Sequence, residues 1–186
     1  MYKERKLMRY RTIFTFIIFS LFLSACVSQP TTVRFNKQQA AKARIELGLG
    51  YLKLRNFSQA KRNFDKALFY QPDYYLVHSA FAYLYQLQGD ISQAKSSYEK
   101  AISLDKSQGD VKNNYGAFLC SQGEFARAYE LFEQALTTPN YYQQANTYAN
   151  IIICAEAEHN IPRYQKFLQL LKNIDPKRAE EIKKVS

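Results

Sequence analysis

The chain has 186 residues, of which 26 are Lys or Arg and 16 are Asp or Glu, so its formal net charge is +10. This length suits one domain. The positive charges are dispersed, with no run of five or more, and we therefore expect no nucleic acid partner. Three cysteines and two histidines leave little material for a metal site, and we expect no metal and no cofactor.

Residues 1–25 predict an export signal. Residues 1–11 carry five Lys or Arg and one acidic residue, residues 13–23 are almost all apolar, and small residues follow. This is the order of a cleavable signal peptide. The apolar run is too short to span a bilayer, which needs about 20 helical residues. Met1 and Met8 both remain possible starts, because each leaves a basic segment before the apolar run.

The segment Leu23-Ser24-Ala25-Cys26 resembles the lipobox of bacterial lipoproteins, in which the signal is cut just before a cysteine that becomes acylated. The resemblance implies that Cys26 is the first mature residue and carries lipid such as palmitate. Val27 and Ser28 follow, without Asp at the second position, which implies an outer-membrane location on the periplasmic face. Two alternatives stay open: an ordinary signal peptide with an incidental cysteine, and a cytoplasmic chain with an N-terminal anchor.

After a short tether at residues 26–35, a repeat of 34 residues runs through the domain at residues 36–186. Each unit has a large–small pair, then a large apolar residue, Ala, an aromatic residue and Ala. The three matching sets are Leu47, Gly48, Tyr51, Ala60, Phe64 and Ala67; Phe81, Ala82, Tyr85, Ala94, Tyr98 and Ala101; and Tyr115, Gly116, Leu119, Ala128, Phe132 and Ala135. This is the tetratricopeptide signature, which implies an all-α fold: a right-handed superhelix of antiparallel helix pairs.

The pattern also predicts where the helices begin and end. Asn36 should cap the first helix, Ser58 and Ser92 the second helix of the first two units, and Gly89 and Gly123 should end first helices. A fourth unit, residues 145–174, is displaced by two residues, which we expect residues 140–142 to absorb. A short polar helix after it should cap the array, giving about four repeats plus a C-terminal capping helix.

The remaining candidate chemical groups indicate packing. Cys120 and Cys154 fall among apolar residues of predicted helices. A disulfide is possible in an oxidising compartment, but we favour two buried thiols acting as small apolar groups. His78 and His159 have no acid or nucleophile nearby in sequence, and no Gly-rich phosphate loop is present. We therefore expect no enzymatic activity.

Protein binding is the function that this pattern favours, through the wall formed by the first helix of each unit. Glu46 and Leu49 occupy places where chaperone-binding tetratricopeptide proteins clamp a carboxylate with Lys, Asn or Arg, so we expect an amphipathic helix or an extended peptide instead. The predicted wall is apolar to neutral and comprises Ile45, Leu49, Leu52, Ser79, Tyr83, Gln86, Asn113, Ala117 and Cys120.

Two segments, residues 38–51 and residues 111–123 (VKNNYGAFLCSQG), resemble the PilF/PilW family of outer-membrane lipoproteins of type IV pilus biogenesis. The resemblance implies a short form of that family, which supports secretin assembly or localisation and pilus stability. The expected protein partner is the pilus secretin, and the lipid on Cys26 provides the membrane attachment. The alternative is a general periplasmic scaffold lipoprotein for cell-wall enzymes or Tad-type secretion.

Overall fold

The computed structural model describes residues 35–184. The predicted signal segment, Cys26 and most of the tether lie outside the described residues. Within the described part, the chain forms helices and no strands, which confirms the all-α prediction. The helices are α1 (Lys37–Lys53), α2 (Phe57–Tyr70), α3 (Tyr75–Gln88), α4 (Ile91–Leu104), α5 (Gly109–Ser121), α6 (Phe125–Leu136), α7 (Gln144–Ala157), α8 (Ile161–Ile174) and α9 (Pro176–Lys183).

The helices pack as consecutive pairs: α1 with α2, α3 with α4, α5 with α6, and α7 with α8. The short α9 packs on α8. The first helices contact each other between the first and second pairs (α1 with α3) and between the third and fourth pairs (α5 with α7). The second helix of each of the first three pairs contacts the first helix of the next pair. The predicted four repeats and terminal capping helix are therefore confirmed. None of the helices in residues 35–184 has both the length and the apolar character needed to cross a membrane.

The same backbone turn ends the first helix of every pair. The left-handed residue of that turn is Arg55 (φ 55°), Gly89 (φ 76°), Gly123 (φ 78°) or His159 (φ 59°). Two of the four are not glycine, so they adopt a conformation that L-residues rarely take. The turn positions predicted at Gly89 and Gly123 are confirmed, and the same geometry extends to the first and fourth pairs.

The caps of the second helices differ from the prediction. Asn56 and Asp90 accept hydrogen bonds from the backbone N–H groups three residues later, at 3.2 and 3.1 Å. The expected caps Ser58 and Ser92 are wrong, because both serines lie inside the first turn of α2 and α4. Asn56 and Asp90 directly follow the left-handed residue of the turn. From this place their side-chain oxygens reach the unpaired backbone N–H groups in the first turn of the helix. The predicted cap at Asn36 is confirmed by its bond from the Gln39 N–H, at 3.1 Å.

The first and third helix pairs close over a glycine. A methyl group added at Gly116 would lie 2.8 Å from the Phe132 ring and 3.0 Å from the backbone oxygen of Ala128. Phe132 is fully buried, so the ring fills the space that a side chain on α5 would occupy. Gly48 faces the ring of Phe64 in the same way in the first pair. These contacts place the large–small positions of the repeat where the sequence predicts them.

The fourth pair is displaced by a longer connection. The segment between α6 and α7 runs from Thr137 to Gln143, whereas the segment between α4 and α5 runs only from Asp105 to Gln108. Tyr141 folds inward from this connection: its ring covers Gly109, and its hydroxyl lies 2.6 Å from that of Thr147. The predicted two-residue displacement is thus absorbed around Tyr141, as expected.

Polar contacts join the second helices to the following turn. Lys95 on α4 forms an ion pair with Glu124, which precedes α6. Tyr129 is one repeat after Lys95, and its hydroxyl donates to Glu158 in the turn before α8, at 2.9 Å. The hydrogen bond from Lys95 holds the pKa of Glu124 below its usual value. Successive pairs are therefore linked by side chains as well as by the apolar core.

Candidate protein-binding groove

A concave groove of about 480 Å³ runs along the first helices of the four pairs. Ten of its lining residues come from α1, α3, α5 and α7, and one, Tyr98, comes from α4. The period explains this arrangement, because residues one repeat apart occupy equivalent places on neighbouring helices. The lining consists of Ile45, Leu49, Leu76, Ser79, Ala80, Tyr83, Gln86, Tyr98, Asn114, Ala117 and Asn150.

Six of the nine predicted wall residues line this groove: Ile45, Leu49, Ser79, Tyr83, Gln86 and Ala117. Three do not. Leu52 is buried in the core shared by the first two pairs, Asn113 is buried against α7, and Cys120 is bonded to another cysteine. Each of the three lies on the edge of the helix that turns toward a neighbouring helix, so stacking covers it.

Asn113 lies beneath the groove and connects two of its helices. Only 5 % of its surface is exposed, and its Oδ1 accepts a hydrogen bond of 3.0 Å from Asn150 Nδ2. This bond joins α5 to α7 and orients the side chain of Asn150, which lines the groove. Asn114 and Asn150 are lining residues that the sequence reasoning missed. Asn114 lies one period after Ala80, which also lines the groove, but neither residue is in the predicted wall, so the sequence carried no signal for it.

The structure corrects the interpretation of the two cysteines. Cys120 and Cys154 form a disulfide between α5 and α7, with a Cα–Cα distance of 5.7 Å. The preferred interpretation as two separate buried thiols is therefore wrong. Their sequence separation is 34, which equals the repeat period. However, the fourth unit is displaced by two residues, so the two cysteines are not at equivalent positions of α5 and α7, and their spacing by itself does not identify the pair.

The groove has two chemically distinct ends. The end on α1 and α3 is apolar, with Ile45, Leu49 and Leu76, and Tyr83 retains 43 % of its surface exposed. The end on α5 and α7 carries the amides of Asn114 and Asn150. Among the described residues, no Asp, Glu, Lys or Arg lines the groove.

Tyr98 closes the floor between the two ends. Its hydroxyl donates a hydrogen bond of 3.0 Å to Gln86 Oε1. Burial raises the pKa of Tyr98, with a smaller contribution from Tyr83, so the phenol stays neutral and continues to donate. The bond fixes the Gln86 side chain and leaves its amide nitrogen free to face a ligand. Residues 35–184 contain no group of three or more His, Cys, Asp or Glu side chains that could hold a metal ion.

Comparison with known proteins agrees with this geometry. The tetratricopeptide repeat profile matches residues 77–108, which span α3 and α4. An uncharacterised protein of Haemophilus influenzae is 50 % identical over 165 residues, covering 89 % of this chain and 92 % of that protein. The chain is a tetratricopeptide repeat protein of the same family as this Haemophilus protein. Tetratricopeptide domains mediate protein–protein binding, which is consistent with a neutral groove.

Solved structures show a similar array. Pseudomonas aeruginosa PilF has a TM-score of 0.71 and 28 % identity, with coverage of 75 % of this chain and 63 % of PilF. PilW, a widely conserved type IV pilus biogenesis factor, has a TM-score of 0.69 and 24 % identity, with coverage of 74 % of this chain and 63 % of PilW. The chain therefore spans less than two thirds of either protein. The expected resemblance to PilF and PilW is confirmed.

A third structure, YrrB, is described as a tetratricopeptide repeat protein with an unusual peptide-binding site. It has a TM-score of 0.62 and 19 % identity, with coverage of 78 % of this chain and 75 % of YrrB. At this identity the likeness concerns the fold alone.

Proposed function

We propose that this protein is an outer-membrane lipoprotein that scaffolds type IV pilus biogenesis by binding a protein segment in the groove. The observation that carries the proposal is the likeness to PilF in both structure and sequence. In this proposal Cys26 carries the lipid and holds the array at the periplasmic face of the outer membrane. The partner is the pilus secretin, whose assembly or localisation the array supports.

The apolar end of the groove favours a segment with large apolar side chains. Leu49, Leu76 and Tyr83 line this end without filling it. Burial of a large apolar side chain typically contributes about 1.5–3 kcal/mol. One or two such side chains on the partner would therefore supply most of the affinity of a transient complex.

The amide end favours a segment whose backbone remains accessible. Asn114, Asn150 and Gln86 offer both N–H donors and carbonyl acceptors. Such groups can bond the backbone of an extended peptide or the free end of a helix. Because no charged residue lines the groove, an uncharged segment fits better than one ending in a clamped carboxylate.

The test uses variants that change the groove and leave the packing intact. Tyr83→Glu combined with Asn114→Arg places charge at both ends, and both side chains are exposed. Tyr142→Glu is the matched control, because Tyr142 is 83 % exposed and does not line the groove. Deletion of the gene should reduce heat-resistant secretin multimers and surface pili. The double variant should reproduce that loss, whereas the control should not.

Two outcomes would contradict the proposal. Normal secretin multimers and pili in the deletion strain would refute the pilus role and favour the general scaffold for cell-wall enzymes or Tad-type secretion. Equal behaviour of the double variant and the Tyr142→Glu control would show that the groove is not the binding surface. The anchor is tested separately: labelling with a radioactive fatty acid should mark the protein, and Cys26→Ala should abolish the label.

A further inference from the structure

A second concave surface lies on the first helix pair, away from the groove already described. It has a volume of about 410 Å³, and its lining contains three cations, one carboxylate and two aromatic rings. We name it the cationic–aromatic patch. It comprises Arg44, Arg62, Asp65, Lys66, Phe69 and Tyr70.

Phe69 is the unusual residue of this patch. Its side chain is 84 % exposed, although a large apolar side chain at a helix surface normally turns toward the core. Its ring meets only the edge of Tyr70 among the aromatic contacts of the described chain, with 5.8 Å between the ring centroids. The ring therefore projects outward on the same face of α2 as Arg62 and Lys66, which precede it by seven and three residues.

The charges of the patch are predominantly positive. Asp65 forms an ion pair of 3.1 Å with Lys61, which lies outside the lining. Arg44 donates a hydrogen bond of 3.3 Å to the side-chain oxygen of Asn63, an uncharged acceptor. An outward phenylalanine surrounded by arginine and lysine has the chemistry of a surface that rests on anionic lipid headgroups, with the ring at the acyl boundary.

The location of the patch agrees with this chemistry. The helices α1 and α2 pack against each other and are joined by a connection of only three residues, residues 54–56, so they are antiparallel. The end of α2 that carries Phe69 therefore lies beside the start of α1 at Lys37. About ten residues separate that start from Cys26, and such a segment reaches at most roughly 35 Å. A lipid on Cys26 would thus hold this end of the array close to the bilayer.

We infer that the cationic–aromatic patch rests on the anionic phospholipid surface of the membrane that holds the lipid anchor, with Phe69 entering the interface. The inference rests on the proposed function for the anchor at Cys26. It also gives the array an orientation, since the first helix pair faces the bilayer and the last pair points away from it.

The experiment places one fluorescent reporter in the full-length processed protein. The chain contains no tryptophan, so Phe69→Trp introduces a single tryptophan, whose emission is recorded with excitation beyond the tyrosine absorption band. The lipidated variant is incorporated into vesicles of phosphatidylethanolamine with brominated phosphatidylglycerol. Tyr142→Trp is the matched control, because that residue is equally exposed, at 83 %, on the connection before the fourth pair. Residue 69 should show a blue-shifted emission and strong bromine quenching, and residue 142 should show neither.

Charge variants test whether the headgroups are recognised. Arg62→Glu combined with Lys66→Glu, in the Phe69→Trp background, should lower the affinity for anionic vesicles at least tenfold. Lys172→Glu combined with Lys184→Glu changes the net charge equally at exposed positions, one in α8 and one just after α9, and should have little effect. Replacement of the brominated phosphatidylglycerol by brominated phosphatidylcholine keeps the quencher, removes the anionic headgroups and should abolish the quenching difference between residues 69 and 142.

Each remaining outcome decides one of the two proposals. Flotation with vesicles reports the lipid anchor, whereas quenching reports the surface that faces the bilayer. A chain that floats with equal quenching at both positions would overturn the patch and leave the anchor. A chain that does not float, but is quenched at residue 69 on mixing with anionic vesicles, would contradict the anchor and support the patch. Absence of quenching together with lost secretin capture by the Arg62→Glu and Lys66→Glu variant would identify a protein interface and overturn the lipid proposal.

Discussion

Replacement of Gly116 and Gly50 by alanine should have opposite effects on stability, although both glycines lie within helices. Gly116 lies where α5 crosses α6, and a methyl group there would sit 2.8 Å from the ring of Phe132 and 3.0 Å from the backbone oxygen of Ala128. Gly50 lies on α1, and outside its chain neighbours and the nearby backbone of its own helix no atom lies within 4 Å of the equivalent position. The same chemical change therefore tests packing at one site and helix propensity at the other.

The expected magnitudes follow from these distances. Overpacking of a core costs about 1–3 kcal/mol, and the buried ring of Phe132 cannot turn into solvent to avoid the clash. Alanine gains up to about 1 kcal/mol over glycine in a helix. We therefore expect Gly116→Ala to lose about 1–2 kcal/mol and Gly50→Ala to gain up to about 1 kcal/mol. A domain of this size changes its Tm by about 2–4 °C per kcal/mol, so a difference of about 1–3 kcal/mol between the two variants corresponds to roughly 2–12 °C.

Thermal unfolding followed by circular dichroism at the helix signal measures this difference on the mature protein. Gly116→Leu, with a bulkier side chain, should lower the Tm further than Gly116→Ala. A Tm for Gly116→Ala equal to or above that of Gly50→Ala would refute the reasoning, because it would show that α5 and α6 can separate at the crossing without loss. The packing role assigned to the small residue of each repeat would then be wrong.

Three further predictions concern the links between helices. Cys154→Ala removes a disulfide that closes a loop of 34 residues, and we expect the free energy of unfolding to fall by about 3–4 kcal/mol. Urea unfolding without reductant measures this change, and a reductant should lower the free energy of unfolding of the wild-type protein to the same level. The bond from Lys95 lowers the pKa of Glu124, so this ion pair should stabilise the fold at pH values above the usual pKa of a carboxyl group and lose its effect as the pH falls through the lowered pKa. Glu124→Gln should flatten that part of the curve of stability against pH. An unchanged curve would exclude the ion pair as a contributor. Asn56→Ala should lower the free energy of unfolding by about 1 kcal/mol through loss of the cap on α2, whereas Ser58→Ala should leave it nearly unchanged. A lower Tm for Ser58→Ala than for Asn56→Ala would show that the serine is the cap.

The sequence alone determined the repeat and therefore most of the fold. Large–small pairs such as the one ending at Gly116 recur every 34 residues, and only a stack of like helix pairs buries them all in equivalent surroundings. The left-handed turn at Gly89 was also predictable, because a glycine just past a helix end has a backbone reason to be there. The all-α array, the four pairs and the displaced fourth unit followed from these local patterns.

The tertiary structure decided how neighbouring units meet. Cys120 pairs with Cys154, and Asn113 turns away from the groove to bond Asn150, because the rotation between stacked helices determines which edge of each helix is covered. A periodic pattern assigns a residue to a face of its own helix, but the rotation depends on side-chain packing across the whole interface. For the same reason the outward position of Phe69 beside the start of α1 became visible only once the first two helices were packed together.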